Sequence, residues 1–445
     1  MDAAVREEKG QRALLKALAS LCFLAMLFAS GDIWPSVTLG FNFRFSQVCL
    51  FAALALCPVL VYRMGVRTFP GWAWLYGFAL WLFATLPHSL FITRSIGYTF
   101  WAVTDILLVF VFVQTFRTEP ALVRLIRYVL ITYTCVAVFG LVQFALGLLG
   151  IDLLITQWWI PGVLPRINGI SYEPSYFATY LLGGWVLANY LLERRAPLPN
   201  RKLIKLCAVT TTAALLLATS RLGWGMMLLW LVFRFAKRAL LTLAGRRMRP
   251  RTAGLIVASP LLLGVLLLAV TPVLPRVVQT ASEVSFLLSG LGMFGEPAHS
   301  AVTREGDVRA TWRAFTAHPF TGTGIGAVPV EIAAARFRPV RTLEDAKPNE
   351  GMSIFVELLA GTGIVGTALF AGFGVAVANA CRRALAELPP WRAEILRGVA
   401  WSVLWVVLAL QFSQNILRIW LFIAIAVLLC CLTADNPRRA RYSAP

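Results

Sequence analysis

The sequence predicts an all-α, polytopic membrane protein, and three observations predict it. Of the 445 residues, 59% are apolar and 14% are charged, about half of the charged share that is usual in a soluble domain. The apolar residues form long segments, and the Lys and Arg residues lie mainly between those segments on one side. A soluble protein is excluded, because so few charges cannot cover the two or three domains that this length would form.

Twelve apolar segments approach the length of a membrane-spanning helix, which is about 20 residues. In chain order they cover approximately 14–30, 45–62, 71–87, 97–116, 122–149, 174–192, 203–219, 222–236, 252–271, 354–380, 396–413 and 416–433. The eighth is short, so the pair 203–219 and 222–236 has a re-entrant hairpin as its alternative. No small-residue cleavage site follows the first segment, which therefore predicts an anchor and not a removed signal peptide.

The Lys and Arg residues predict the orientation. Counted between the segments, 28 of the 41 lie on the side of both termini, and 8 of the other 13 lie in the long stretch 272–350. Because cytoplasmic loops carry the excess of Lys and Arg, both termini are expected in the cytoplasm and 272–350 on the other side. The net charge of +20 is then an orientation signal and not a nucleic-acid footprint.

The domain organisation follows from the segments. Residues 1–271 hold the first nine spans, 272–350 form a long outer loop with short helices, and 351–445 hold the last three spans and a cytoplasmic tail. In the loop, a helix is expected over 303–317, with Val308, Trp312 and Phe315 as its apolar stripe. A turn follows at 318–326, and a second short helix at about 329–337.

The turn at 318–326 contains a Gly-x-Gly pattern, which also occurs in dinucleotide-binding loops. Such a loop needs a preceding strand and a βαβ unit, and the sequence predicts neither here. The glycines are therefore interpreted as a tight turn that lets backbone segments approach closely.

Polar residues gather at the outer ends of the predicted spans and not in their middles. Asp105 is the only clear mid-span charge, which disfavours a proton-coupled transporter. No His or Cys spacing resembles a metal site, and no cofactor is expected. An outward-facing site at the membrane surface is predicted from the outer polar residues, such as Arg94, Arg166, Glu173, Arg221 and Arg418.

Four stretches of the chain carry a resemblance to a known family. They are Arg166-Ile-Asn-Gly-Ile-Ser-Tyr-Glu173-Pro-Ser-Tyr-Phe-Ala178, Thr219-Ser220-Arg221-Leu-Gly223-Trp224, His318-Pro319-Phe-Thr-Gly322-Thr-Gly324-Ile-Gly326 with the arginine-bearing helix before it, and Asn349-Glu350-Gly-Met-Ser353 running on to Glu357-Leu-Leu-Ala-Gly-Thr-Gly363-Ile-Val-Gly366. In this order and spacing, with about twelve spans, the chain resembles the O-antigen ligase and polymerase superfamily of bacterial membrane glycosyltransferases. It is most similar to exopolysaccharide repeat-unit polymerases of the xanthan type.

The resemblance implies a class C glycosyltransferase fold in the bacterial inner membrane. It also implies an undecaprenyl-diphosphate-linked oligosaccharide as substrate on the periplasmic side. Ligases of the group typically carry a histidine in the fourth stretch, eleven residues before the glycine equivalent to Gly363, and this chain has Met352 there. The departure favours a polymerase over a ligase.

Glycosyl transfer from a lipid diphosphate needs a base for the acceptor hydroxyl and a positive group for the departing diphosphate. Arginine binds phosphate oxygens with two parallel N–H groups, so a metal-independent enzyme is predicted. The base candidates are Glu350 and Glu173. The candidates for binding substrate or diphosphate are Arg166, Arg221, Arg304, Arg309, Asn349, Tyr172 and Tyr176.

Several of these residues have a structural alternative. Arg221 ends a span and would extend to the membrane interface. Glu173 precedes Pro174 and would place a negative charge at a helix N-terminus, and Glu350 has the same alternative. Of Arg304 and Arg309, one is expected to be functional and the other a solvated helix charge.

The predicted function is a polysaccharide polymerase that transfers a growing undecaprenyl-diphosphate-linked glycan onto the next lipid-linked repeat unit. The alternatives are an O-antigen ligase that uses lipid A core, a flippase or exporter of the lipid-linked unit, and a non-enzymatic assembly scaffold. Membrane lipids, chain-length regulators and export proteins are the further partners to expect, and nucleic acid is not.

Overall fold

The described part of the chain is a bundle of α-helices with two short β-hairpins at one end. A computed structural model describes residues 2–39, 41–160, 162–194, 200–245, 296–335, 340, 342, 353–412 and 417–435. The helices are α1 (Asp2–Leu27), α2 (Phe45–Met64), α3 (Trp72–Thr85), α4 (Ile92–Thr115), α5 (Glu119–Leu148), α6 (Pro174–Arg194), α7 (Arg201–Leu217), α8 (Arg221–Gly245), α9 (Glu296–Ala317), α10 (Val328–Ala335), α11 (Ile354–Glu387), α12 (Pro390–Leu410) and α13 (Ile419–Thr433). A short 3-10 helix, Leu86–His88, follows α3.

Six of these helices are long and apolar enough to cross a membrane: α1 from Glu8, α2, α4, α5, α11 and α12. Five further helices, α3, α6, α7, α8 and α13, lie at other predicted segments. The predicted segment 252–271 lies outside the described residues, so the number twelve stays a prediction. The protein is a multi-pass, predominantly helical membrane protein, as the composition predicts.

Helix α1 begins well before the apolar segment predicted at 14–30. Its first turns are polar but consist mainly of good helix formers. The guanidinium of Arg12 contacts the carboxylate of Glu8 at 2.5 Å, an i, i+4 pair that supports a solvated helix. The polar turns therefore extend the helix beyond the apolar segment.

Helices α6 and α13 form the centre of the bundle. Helix α13 is apolar on all sides and buried along almost its whole length, packed against α4 and α12. Helix α6 packs against α12 and α7. A Cβ atom at Gly184 would lie 2.2 Å from the ring of Tyr133, so glycine allows α5 and α6 to approach this closely.

The all-α prediction did not include the two antiparallel hairpins. Strands β1 (Ser36–Leu39) and β2 (Phe41–Arg44) form one, and β3 (Gln157–Ile160) and β4 (Leu164–Arg166) form the other. Each strand has three or four residues, which is too short for the alternating pattern that identifies a strand in a sequence.

The bundle has two distinct ends. The terminal end holds both described chain ends and the connections α2–α3, α4–α5, α6–α7 and α11–α12. The loop end holds both hairpins, the turn between α7 and α8, and the segment 318–327. The charge count predicts that the terminal end faces the cytoplasm.

Helix α9 confirms the predicted helix at 303–317 but buries a different face. Trp312 of the predicted apolar stripe is 48% exposed, and its ring is tilted against that of Phe315 with the ring centres 5.3 Å apart. Because α9 packs on α10 and α11, small side chains allow close approach and the large aromatic ring is displaced outward. The buried face consists of Asp307, Ala310, Thr311 and Ala314.

Candidate active site

The first family-like stretch is held rigid by two buried amide side chains. Asn168 donates to the carbonyl groups of Leu154 and Ser171. The side-chain oxygen of Gln143 accepts from the backbone N–H groups of Asn168 and Gly169 at 3.0 and 2.9 Å. Because both amides are fully buried and bonded, the loop between β4 and α6 has a defined conformation.

Arg166, the last residue of β4, reaches across to the turn between α7 and α8. Its Nε and Nη2 donate to the side-chain and backbone oxygens of Thr219 at 2.8 and 3.2 Å, and its Nη1 donates to Gln157 at 2.8 Å. Burial lowers the pKa of Arg166, Glu173 raises it, and Arg221 lowers it. The predicted residues Arg166, Arg221 and Glu173 therefore lie within electrostatic range of one another.

The turn that Arg166 holds has an unusual backbone. Thr219 has φ +47°, a left-handed conformation that costs a β-branched residue about 1–2 kcal/mol. The next residue, Ser220, is buried, and its hydroxyl accepts from the backbone N–H of Gly223, which is an N-cap contact. The strain is maintained by Arg166 on one side and by this cap on the other.

Arg221 is the first residue of α8, and its side chain is exposed. A cation at a helix N-terminus lies at the positive end of the helix dipole, which is unfavourable for folding. The first turn of α8 itself contains no acidic residue. The helix end and the arginine together favour an anion, which is the arrangement that a diphosphate site requires.

Glu173 precedes the first turn of α6. Its backbone carbonyl accepts from the N–H groups of Tyr176 and Phe177, both at 3.1 Å. Its carboxylate accepts from the hydroxyl of Ser175 at 2.9 Å. This geometry fits the structural alternative of a negative charge at a helix N-terminus, and a catalytic role for Glu173 stays a prediction.

A second polar cluster lies beside the loop between β4 and α6. The Arg418 guanidinium lies 4.3 Å from the centre of the Tyr176 ring and 3.3 Å from Asp32. Arg44 contacts Asp32 at 2.9 Å, and the backbone N–H of Tyr172 donates to Asp32 at 3.4 Å. The Tyr172 side chain is 62% exposed. Three loops that are distant in sequence therefore meet at one carboxylate.

The sequence did not single out Asp32 or Arg44. The signal that was present is an acidic residue directly after the first predicted span and a basic residue directly before the second. The pattern of spans does not predict that these two residues are in contact, because the contact depends on the β1–β2 hairpin.

The glycine-rich turn at 318–326 docks into a break in α11. Gly363 has φ +67° and ψ −174° inside this helix, and a Cβ atom there would lie 2.1 Å from the carbonyl oxygen of Phe320. The backbone N–H groups of Thr323 and Gly324 donate to carbonyls of α11 just before the break, and Ile364 donates to Pro319 just after it. The predicted close approach of backbone segments is confirmed.

The same turn is fixed to α4 from the other side. Arg94 donates to the carbonyl of Gly326 at 3.0 Å and to the Tyr98 hydroxyl at 2.7 Å, and it is buried. Arg94 is thus a structural arginine, whose buried guanidinium binds the turn to α4.

The remaining predicted residues are placed only in part. Arg309 lies on α9 with an exposed side chain. The backbone of Arg304 belongs to α9, and its side chain lies outside the described residues. Asn349 and Glu350 also lie outside them. The structure therefore brings together Arg166, Arg221 and Glu173, with Tyr172 and Tyr176 adjoining.

Within the described ranges, no group of three His, Cys, Asp or Glu residues is arranged to hold a metal ion. Residues 206–371 match the family described as O-antigen ligase. The match includes Arg221, Arg309, the turn at 318–326 and Gly363. No curated protein matches the chain.

Members of the matched family are glycosyltransferase-like enzymes that act on lipid-linked glycans. A membrane protein with this domain has a glycan-processing function, and the arginine at the start of α8 lies inside the matched region. Over residues 206–371 the chain thus matches the O-antigen ligase family, and this match supports the O-antigen ligase and polymerase superfamily.

Proposed function

We propose that the protein is a metal-independent polysaccharide polymerase of the bacterial inner membrane. It transfers a growing undecaprenyl-diphosphate-linked glycan onto the next lipid-linked repeat unit at the periplasmic face, as exopolysaccharide polymerases do. The single observation that carries the proposal is the position of Arg221 at the N-terminus of α8, with Arg166 within electrostatic range. The matched family supports the lipid-linked glycan as substrate.

The proposed step breaks the bond between the anomeric carbon and the diphosphate oxygen and forms a glycosidic bond to the acceptor hydroxyl. The diphosphate leaves with the bonding electron pair, and its charge is stabilised by Arg221 and by the N–H groups at the start of α8. The acceptor proton passes to a carboxylate, for which Glu350 and Glu173 are the candidates.

Arg166 contributes mainly by position. Three of its N–H groups are used on Gln157 and Thr219, and its other N–H groups are left for a phosphate oxygen. Because it holds the turn that precedes α8, Arg166 orients Arg221 as well as adding positive charge.

The ligase is the main alternative, because the matched family is described as O-antigen ligase. Met352 stands where ligases of the group carry histidine, which favours the polymerase. Purified protein supplied with labelled lipid A core and a lipid-linked glycan distinguishes the two. A covalent product on lipid A core would establish the ligase.

A flippase or exporter would show discontinuous helices whose free backbone groups face a substrate. Helix α11 is discontinuous at Gly363. Its carbonyls before the break are occupied by the turn at 318–326, and the Trp81 indole donates to the carbonyl of Thr362 at 2.9 Å. The break is therefore a docking site for the turn, which does not favour transport.

The test of the proposal is Arg221→Ala, with Arg221→Lys as a second variant. We expect Arg221→Ala to abolish long polymer while single repeat units still accumulate, because removing one stabilising group of this kind costs roughly 100- to 1,000-fold in rate. Arg221→Lys should retain a small part of the activity, since lysine keeps the charge but not the planar fork.

The matched control is Arg201→Ala. Arg201 is also an exposed first residue of a helix, α7, but lies at the terminal end. Its variant should give wild-type chain lengths. Wild-type polymer from Arg221→Ala would refute the proposed site, and loss of turnover in excess chelator would refute metal independence.

A further inference from the structure

A cavity of about 330 Å³ opens at the terminal end, beside the connection between α4 and α5. Helix α1 forms one wall, with Arg12 and Lys16, and the start of α5 forms another, with Arg124. Arg117 lies between them. Among the described residues, the four charged ones that line this cavity are all basic.

Arg117 is a fixed charge in the wall. It is 7% exposed and donates to the carbonyl groups of Met64, Gly65 and Gln114 at 2.7 to 3.0 Å. Burial lowers the pKa of Arg117, neighbouring Arg67 lowers it further, and Cys57 and Asp435 raise it. An anion in the cavity would favour the charged form of this guanidinium.

The other three basic side chains are exposed and able to move toward a ligand. Lys16 and Arg124 are exposed. Arg12 is also exposed and contacts Glu8 at 2.5 Å, so its charge is partly neutralised. Lys16 and Arg124 are therefore the pair that would respond most to a bound anion.

Apart from Thr115 and Thr118, the rest of the lining is apolar. Leu15, Met64 and Phe116 contribute to it. Helices α1, α2, α4 and α5, which surround the cavity, are each long and apolar enough to cross a membrane, and the cavity lies at their ends. Phosphate groups of lipids occupy this level of a bilayer, and the apolar wall matches the start of an acyl chain.

We propose that this cavity binds the headgroup of an anionic phospholipid. The phosphodiester contacts Lys16 and Arg124, and the acyl chains continue along the apolar wall. The charge count predicts that this end faces the cytoplasm, where anionic lipids are concentrated and basic pockets between helices bind their headgroups. The site is independent of the proposed glycan chemistry at the loop end.

The test uses the purified full-length protein and native mass spectrometry. Phosphatidylglycerol and phosphatidylcholine with identical acyl chains are compared, and inorganic phosphate is added as a competitor. We expect preferential binding of phosphatidylglycerol that phosphate does not displace. Equal binding of the two lipids would overturn the proposal, and displacement by inorganic phosphate would overturn it in favour of a free-phosphate site.

The variants are Lys16→Gln and Arg124→Gln, alone and together, since both side chains are exposed and their loss should not impair folding. Each basic residue near a membrane surface contributes about a fivefold change in affinity, so the double variant should bind phosphatidylglycerol roughly 25-fold more weakly. The control is Arg383→Gln, an exposed arginine at the end of α11 that does not line the cavity. An equal loss in the control would overturn the proposal.

Discussion

Arg117 and Arg392 at the terminal end of the bundle have different kinds of partner from Arg166 and Arg418 at the loop end. At the terminal end, Arg117 and Arg392 are buried and donate mainly to backbone carbonyls where helices finish. Arg392, for example, donates to the carbonyls of Cys431 and Ala434 at the end of α13. Such contacts satisfy the carbonyl groups that a helix end leaves without partners.

At the loop end, arginines connect side chains from different loops. Arg166 contacts Thr219, and Arg418 contacts Asp32 and the ring of Tyr176. These partners are polar side chains beside the candidate active site. Arg117 and Arg392 therefore bind helix ends, whereas Arg166 and Arg418 connect loops around a polar site.

The largest effect on stability is expected at the terminal end. Arg117→Ala would leave the carbonyl groups of Met64, Gly65 and Gln114 without this donor, which should lower the free energy of unfolding by about 2–4 kcal/mol. Activity per folded molecule should stay unchanged. The measurement is thermal unfolding followed by tryptophan fluorescence, together with polymer formation normalised to folded protein.

Arg127→Ala serves as the control, because Arg127 is an exposed arginine near the start of α5, at the same end of the bundle. Its melting temperature should equal that of the wild type. If Arg117→Ala instead lost activity without a change in stability, the difference between the two ends would not hold.

A smaller effect is expected at Thr219. Thr219→Ala keeps the strained φ and the backbone acceptor but removes the hydroxyl that accepts from Arg166 Nε, so it should destabilise by about 1 kcal/mol. Thr219→Gly also removes this hydroxyl but relieves a left-handed strain of about 1 kcal/mol, so its stability should be close to that of the wild type. Chemical denaturation compares the two variants, and equal stability of both would show that the strain is absent.

The smallest effect is expected from pH at the terminal end. Hydrogen bonds from Arg67, at 2.7 and 2.5 Å, hold the pKa of Asp435 below its ordinary value of 3.8. A carboxylate with a lowered folded-state pKa stabilises the protein above its unfolded pKa, and this contribution is lost as pH falls through the folded value. Stability should therefore decrease below about pH 4.

Asp435→Asn should remove that part of the pH dependence. The effect is small because the Asp435 side chain is 63% exposed, and salt should weaken it further. Unfolding curves at several pH values and two salt concentrations measure it. An unchanged pH profile in Asp435→Asn would assign the acid sensitivity to other carboxylates.

The helices were predictable because apolar segments of this length have few alternatives in a membrane. The turn at 318–326 was predictable because several glycines in a short segment indicate close backbone contact. The buried face of α9 was not, because the choice between its Trp312 stripe and its Ala314 face depends on the surface of α11 against which it packs.

Within the candidate site, the sequence identified Arg166, Glu173 and Arg221 as polar residues at the outer ends of spans. It did not show that Arg166 holds the strained Thr219, because a left-handed threonine leaves no signal in composition or periodicity. The sequence also did not identify Asp32, because a single acidic residue beside a span indicates a site only once its contacts with Arg44 and Arg418 are known.

The sequence by itself determined the class of protein, the helical segments and the predicted orientation, because hydrophobicity and loop charge act locally along the chain. Only the tertiary structure decided the partner of each arginine. A guanidinium can donate to a helix end, a carboxylate or a phosphate equally well, and which of these it meets depends on segments that are far apart in the sequence.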